Sequence, residues 1–470
     1  MSASKGAEYR RAITPIEALL ARSPFAVVSI VARLRGHVTE GTLRDALVQV
    51  SRRHPNLRSR IVDDAGGNLW LTSDGASELE VTCVPRQSEN HWIRVVQDSC
   101  RTPFDFPVRP AIRFILLQSP SVSELVIVCH HILCDGLSLA YLARDLLTQM
   151  GNPDYHVDVL PDPLPIKLSD MPRGLSLNPL VRLVIGRMNK KWGVDKVLFD
   201  QEDYEELTEA YWSRYPHQVY PIELSEAQTS ALVERCHRND VTVNSALAAA
   251  FVGAQVLVQG QAPHLATAAI AASLRDRLRR PVGEVMGFYA GLVTLKRRYD
   301  TGKGFWENAR GFHGDTARML NDKSLLRDFL TWCYLDPSIL QAINFKRLAG
   351  LVPQESPRYD KLVSFGTRDD VVAGIVRREK MDSLQRITLG TAITNLARLD
   401  FPRQYGPLEL DRLIMKPGAG FPLSNVNLVL GAVTCAGKAS LVLECVDDNI
   451  DMTMMCAIQE KALSFLLQAA

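Results

Sequence analysis

The 470-residue chain carries 54 Lys and Arg against 52 Asp and Glu, a formal net charge of +2, with 23% charged and 46% hydrophobic residues. That balance fits a globular protein and excludes a basic nucleic-acid-binding tract or an acidic disordered tail. The length suits two lobes of roughly 200 residues each. No apolar run reaches the ~18–20 residues that cross a bilayer, and Met1 to Arg11 is polar without a small-residue cleavage site, so neither a membrane span nor a secretory signal is expected. Nine cysteines stand singly, none in a C-x-x-C pair, which points to reduced thiols in a cytoplasm, most of them small core residues.

The pattern predicts alternating strands and helices. Val28, Ile30, Ala32 and Leu34 recur at every second position, the period of a half-buried strand. Thr39 can cap a helix with Leu43, Ala46, Leu47 and Val50 on one face, and Pro55 stops it. Strands are expected at Ile112 to Leu117 and Leu125 to Cys129, then a loop and a helix with Leu139, Leu142, Ala143 and Leu146 inward. Pro153, Pro161, Pro163, Pro165 and Pro172 punctuate a connector. An amphipathic stretch around Leu180 to Trp192 and an acidic run, Asp200 to Glu206, lead to about Tyr215. The acidic run reads first as a solvated helix face.

Ser225 to Gln228 has the spacing of a capping box for a helix reaching Arg238. Thr242 caps a long Ala-rich helix, Val243 to Val258, apolar enough to be central. Strands are expected at Ala266 to Ala272, Tyr289 to Leu295 and Ile387 to Ile393. Asn427 to Thr434 and Ser440 to Cys445 read as a hairpin about Cys435 to Lys438. A last helix spans Met452 to Leu467. The expected partition is an N-terminal lobe at 1–173, a crossover at 174–215 and a C-terminal lobe at 216–470, each lobe of α/β layers.

The chemistry concentrates in His130-His131-Ile132-Leu133-Cys134-Asp135-Gly136. A hydrophobic strand delivers two histidines whose side chains point to opposite faces, so one is structural and the other is presented at an edge. A fixed imidazole with an ordinary pKa near 6.5 suits general-base work. Asp135 can accept bonds in the turn or pair with an arginine, and Gly136 allows backbone geometry closed to other residues. Two core histidines satisfied by carbonyls are the plain alternative. A metal site is disfavoured, because Cys129, His130, His131, Cys134 and Asp135 crowd alternating faces without ligand spacing. A serine-nucleophile elbow at Gly136 to Ala140 is disfavoured too, Ser138 being better placed as a helix N-cap.

The segment His130 to Gly136 resembles the H-H-x-x-x-D-G signature of the condensation-domain and chloramphenicol-acetyltransferase-like acyltransferases. Arg53-His54-Pro55-Asn56-Leu57-Arg58, Pro103-Phe104-Asp105 with Pro110 and Arg113, Thr242-Val243-Asn244, and Ser273 to Arg277 leading to Gly287-Phe288-Tyr289 resemble further stretches of that superfamily in the same order. The resemblance implies two chloramphenicol-acetyltransferase-like lobes with an active-site tunnel between them, a catalytic His131 and a structural Asp135. It also implies an arginine partner for Asp135: Arg277 is the first choice and Arg275 the second, against a solvated basic patch with Arg279 and Arg280. Asp400 to Gly406 only approximates the second signature, D-F-G-W-G. Thr394-Asn395-Leu396 resembles the S-N-x-G of free-standing polyketide-associated and alcohol acyltransferases. Asn395 and Asp400 are therefore candidates for the tunnel or the second motif. The implied activity is acyl transfer from a coenzyme A or phosphopantetheine thioester, the latter on an acyl carrier protein, to an alcohol or amine. The product would be an ester in natural-product or lipid biosynthesis, with no metal and no resident cofactor. An amide-forming enzyme and a non-catalytic docking or scaffold member are the alternatives.

Overall fold

The computed structural model describes residues 9–162, 166–260, 268–385, 389–421, 426–448 and 450–467. Pro163 and Pro165 of the connector, and the first residues of the strands expected at Ala266 and Ile387, lie outside them.

The chain opens with β1 (Arg10–Ala12) and a short helix, α1 (Pro15–Leu20). Thr14 and Glu17 close a reciprocal cap: the Glu17 N–H donates to Thr14 Oγ1 at 3.2 Å, and the Thr14 N–H donates to Glu17 Oε2 at 2.7 Å. Next come β2 (Val27–Arg35) and α2 (Glu40–Arg53), whose first turn is capped by Thr39. β2 is buried at every position but Arg35, not on one face as its alternation suggested. Its second face lies against the other half of the molecule, and Arg33 there is neutralised by Glu124 at 2.8 Å and Glu223 at 2.9 Å. β3 (Arg60–Asp63) and β4 (Leu69–Thr72) join β1 in a small sheet ordered β1-β4-β3. β5 (Glu80–Pro85), α3 (His91–Arg101), β6 (Ile112–Gln118), β7 (Val122–His130) and α4 (Gly136–Gly151) complete the first third.

Two helices occupy the crossover, α5 (Pro179–Val194) and α6 (Gln201–Arg214). β8 (His217–Glu223) precedes α7 (Glu226–Arg238), which carries the Ser225–Gln228 capping box. α8 (Val243–Gln259) is buried along nearly its whole length. After β9 (Ala268–Ser273) and β10 (Ala290–Leu295) come five helices that the sequence patterns did not single out. They are α9 (Phe305–Met319), α10 (Asp322–Trp332), α11 (Pro337–Leu348), α12 (Tyr359–Thr367) and α13 (Val371–Gln385). The chain ends with β11 (Leu389–Leu399), β12 (Gln404–Tyr405), β13 (Leu408–Lys416), β14 (Val426–Cys435), β15 (Lys438–Val446) and α14 (Met452–Leu467). No single helix among the described residues is long and apolar enough to cross a membrane.

The strands form two large sheets, β12-β13-β2-β7-β6-β5 and β10-β9-β11-β14-β15-β8. β12 and β13 come from residues 404–416 yet extend the sheet that carries the two histidines. A partition at 173 and 215 therefore divides the chain but not the sheets. The two sheets touch where Gly431 of β14 passes β13: a Cβ there would sit 2.6 Å from the Met415 carbonyl oxygen, a contact no larger residue can make. Cations of the first sheet reach across. Lys416 pairs with Glu444 at 2.6 Å, and Arg412 donates to the carbonyls of Ala439 and Leu224 at 3.0 Å each.

Leu413 is fully buried on β13 in the core of the first sheet. Leu413→Ala should cost about 2–5 kcal/mol. Because β13 joins the two halves, denaturant titration followed by fluorescence and circular dichroism should give one coincident, lowered midpoint.

Candidate active site

β7 ends at His130, where the ladder to β2 closes on the pair Val27–His130. His130 faces the core. Its Nε2–H donates to the Ser23 carbonyl at 3.1 Å, its Nδ1 accepts the Ile132 N–H at 3.2 Å, and Phe104 and Phe106 meet the ring edge-on. Burial pushes its pKa down to about 3. With both nitrogens engaged, it has no atom left for a substrate.

His131 is turned the other way. Its backbone N–H donates to Ala26 O at 2.7 Å, and the next turn of chain brings the Cys134 carbonyl to 3.0 Å from Nδ1. A carbonyl can only accept, so the proton sits on Nδ1 and the lone pair on Nε2. Burial lowers the His131 pKa, and the Cys134 carbonyl opposes this. Phe288 packs edge-on at 5.3 Å between ring centres. A Cβ at Gly418 would stand 3.0 Å from Nε2, so the glycine leaves that nitrogen its space.

Asp135 is the N-cap of α4. The helix uses Asp135 and Ser138 in a reciprocal box, so Ser138 is the third residue of the helix and not its N-cap. Asp135 Oδ1 accepts from Ser138 N at 2.7 Å and from Arg275 Nη2 at 2.8 Å, while Oδ2 accepts from Tyr289 N at 3.1 Å. Arg275, the second choice on sequence grounds, is thus the arginine that reaches Asp135. It is buried, stacked 4.8 Å from the Tyr289 ring centre, and fixed by the carbonyls of Gly283 and Val285. Arg277 points outward to Asp322 at 3.1 Å. Two residues apart on one chain segment, the two guanidinium groups reach opposite environments, which is why counting residues back from Gly287 misjudged them. Gly136 is not in a left-handed conformation either. What it gives is space, since a Cβ would meet Leu396 Cδ2 at 2.9 Å and oblige that side chain to shift.

His131, Asp135 and Gly136 line a cavity of about 460 Å³ between the two sheets. Its wall is mostly apolar: Ile16, Leu19 and Leu20 of α1, Leu292 of β10, and Phe329 and Trp332 of α10 contribute, with Pro417 to Gly420 beside the imidazole. Thr394 is on this wall, but Asn395 and Asp400 are not. Asn395 Oδ1 accepts the Ala397 N–H at 2.8 Å inside a bulge of β11, and Asp400 is an exposed partner of Arg398. Asn395 follows the wall residue Thr394 in regular register, and the shift between Asn395 and Arg398 comes after it and ahead of Asp400. Sequence reading missed α1 and the loop at 417–420. Thr14-Pro15-Ile16-Glu17 is a legible cap-and-start signal, and Pro417-Gly418-Ala419-Gly420 a legible close-approach loop. Among the described residues no group of His, Cys, Asp and Glu is arranged to hold a metal ion.

Two mixed sheets meeting at a crevice, with a histidine loop at the junction, define the class of fold. Residues 15–150 match the Condensation domain family, and residues 216–301 match the family described as Phthiocerol/phthiodiolone dimycocerosyl transferase C-terminus. The fold aligns with trichothecene 15-O-acetyltransferase from Fusarium sporotrichioides at a TM-score of 0.64 and 12% identity, over 99% of this chain and 97% of that one. It aligns with polyketide synthase associated protein 5 from Mycobacterium tuberculosis at 0.59 and 15%, over 98% of each chain. A nonribosomal peptide synthetase from Aspergillus flavus is 25% identical over 278 residues, 57% of this chain but 4% of that protein's length. Two stretches of the chain thus match these two families, and its two-sheet fold is the one shared by the aligned structures.

Removing Arg275 strands a buried carboxylate, whereas Arg277 makes a half-exposed pair. Arg275→Ala should lower unfolding free energy by about 3–5 kcal/mol, and Arg277→Ala by less than about 1 kcal/mol. Parallel urea titrations of the two variants measure the contrast.

Proposed function

We propose that this chain moves an acyl group from a thioester donor to a hydroxyl acceptor, with His131 as general base. The observation that carries the reading is the imidazole itself: Nδ1–H is held by Cys134 O, and the ring lines an apolar cavity with Nε2 beside Gly418. In the proposed step Nε2 takes the acceptor's proton as its oxygen bonds to the thioester carbonyl carbon. The carbon–sulfur bond then breaks, and the imidazolium returns that proton to the departing sulfur. No acyl-enzyme is required, because a crevice holding both partners supplies proximity. Gly136, in the first turn of α4 and on the cavity wall, offers a backbone N–H for the developing oxyanion.

The wall chemistry supports an apolar acyl chain or acceptor. The matched dimycocerosyl transferase family and the aligned 15-O-acetyltransferase support ester rather than amide formation. The donor would be an acyl carrier protein acting in trans or acyl-coenzyme A. Mass spectrometry of products from acyl-coenzyme A and acyl-carrier donors, against a panel of alcohols and amines, separates these arms. Transfer to no acceptor from either donor would leave the scaffold reading.

His131→Ala should cut turnover by about 10²–10⁴-fold with an unchanged melting midpoint. The base works when neutral and its pKa lies below 6.5. The kcat/KM profile should therefore be flat at neutrality and fall only as pH drops through that lowered value. An acid limb centred above 6.5 would contradict the assignment.

A further inference from the structure

α5 is an unusual surface helix. Its inner face is fixed: Trp192 Nε1 donates to Ser338 Oγ at 2.8 Å, Asn189 joins the Tyr334 carbonyl and the Asp336 N–H, and Ile185 is buried. Its outer face carries Leu180, 72% exposed, Leu183, 53% exposed, and Val184, 49% exposed. One to two turns later the same face carries exposed Arg187, Lys190 and Lys191. The helix contains no Asp or Glu in its 16 residues. Among the described residues no carboxylate comes within ion-pair distance of those three cations, and Asp369, which Lys191 influences from farther off, is paired with Arg377.

The helix also adjoins the cavity. Trp332 is on the cavity wall, and the turn just after it, Tyr334 to Asp336, is the one that Asn189 grips. Arg182 lies over the Tyr334 ring, 5.1 Å from its centre.

We propose that the outer face of α5 docks on an anionic lipid surface, its aliphatic residues entering the headgroup boundary and its cations meeting lipid phosphates, with the apolar cavity beside that surface. Aliphatic side chains next to an unbroken set of cations are what an interfacial helix presents. Anchors for a protein partner are enriched in Trp and Tyr, with Leu and Val under-represented, and the outer face of α5 has no aromatic residue. A carrier protein or other acidic partner is therefore the less favoured occupant.

Flotation of the intact protein tests this with phosphatidylcholine vesicles containing about 30 mol% phosphatidylglycerol, against pure phosphatidylcholine. The protein should bind the anionic vesicles at least ~10-fold better, and salt near ~0.5 M should remove most of that preference. Leu183→Glu and a Lys190→Glu/Lys191→Glu double variant should each lower binding at least ~10-fold, while Lys190→Arg/Lys191→Arg retains it. The substituted side chains already face solvent, so melting should be unchanged. Equal binding to both vesicle types, equal binding by Leu183→Glu, or no flotation would overturn the proposal. So would loss of transfer from a carrier-bound donor by these variants without lipid, which would reassign the face to a protein. Vesicle binding is read without turnover, so its failure and the failure of the acyl-transfer reading are separate results.

Discussion

The ion pair between Asp135 and Arg275 joins everything around the crevice. One carboxylate caps α4, accepts the guanidinium of a residue 140 positions away, and accepts the Tyr289 N–H. A buried pair of this kind repays its desolvation only when the remaining donors and acceptors are also used. Here the other guanidinium NH2 group is taken by two carbonyls and the Ser138 hydroxyl stands between the two partners, so that of the guanidinium nitrogens only the buried Nε lacks a partner among the described residues. The turn after His131 is therefore registered against the segment that carries Phe288, and the imidazole meets that ring edge-on.

A second set of buried charges sets the spacing of the sheets. Arg33, Arg412 and Lys416 project from the first sheet onto Glu223 and Glu444 of the second. Glu444 also accepts from His217, whose other nitrogen meets Tyr211. The Tyr211 hydroxyl donates to Phe421 O, at the end of the loop that begins with Pro417. The backbone beside His131 Nε2 is thereby tied to the crossover helix α6 and to the far edge of the second sheet. The crevice stays open because these contacts fix how closely the sheets approach, with Gly431 as the point of contact.

Local signals were legible where the physics is local. Thr39, Ser225 and Thr242 announced their helices, because a cap acts within a few residues. The two histidines announced opposite faces, because strand alternation is a property of neighbours. Membership of β12 and β13 in the first sheet was not legible, since β13 pairs with β2, far earlier in the chain, and such pairing leaves no mark in periodicity. The choice between Arg275 and Arg277 failed for the same reason. Both fit the resemblance, and only the packed Tyr289 and the carbonyls of Gly283 and Val285 distinguish them. The helices from Phe305 to Gln385 had readable caps at Asn321 and Asp336, but their short apolar faces are satisfied only by the assembled core.

The two adjacent histidines also divide what is local from what is not. His130 is saturated on both nitrogens and cannot take up a second proton near neutrality. His131 owes its tautomer to a carbonyl three residues away, so the short turn sets that protonation pattern without help from the rest of the fold. What lies around its free nitrogen is decided far off, by Gly418, Phe288 and α1. Chemical competence of the proposed base is therefore written into a short segment, while access to it is a property of the assembled halves. A chain could keep the motif and lose the crevice, and an intact H-H-x-x-x-D-G segment alone cannot distinguish a working transferase from a scaffold. Open space around Nε2 is the feature that can.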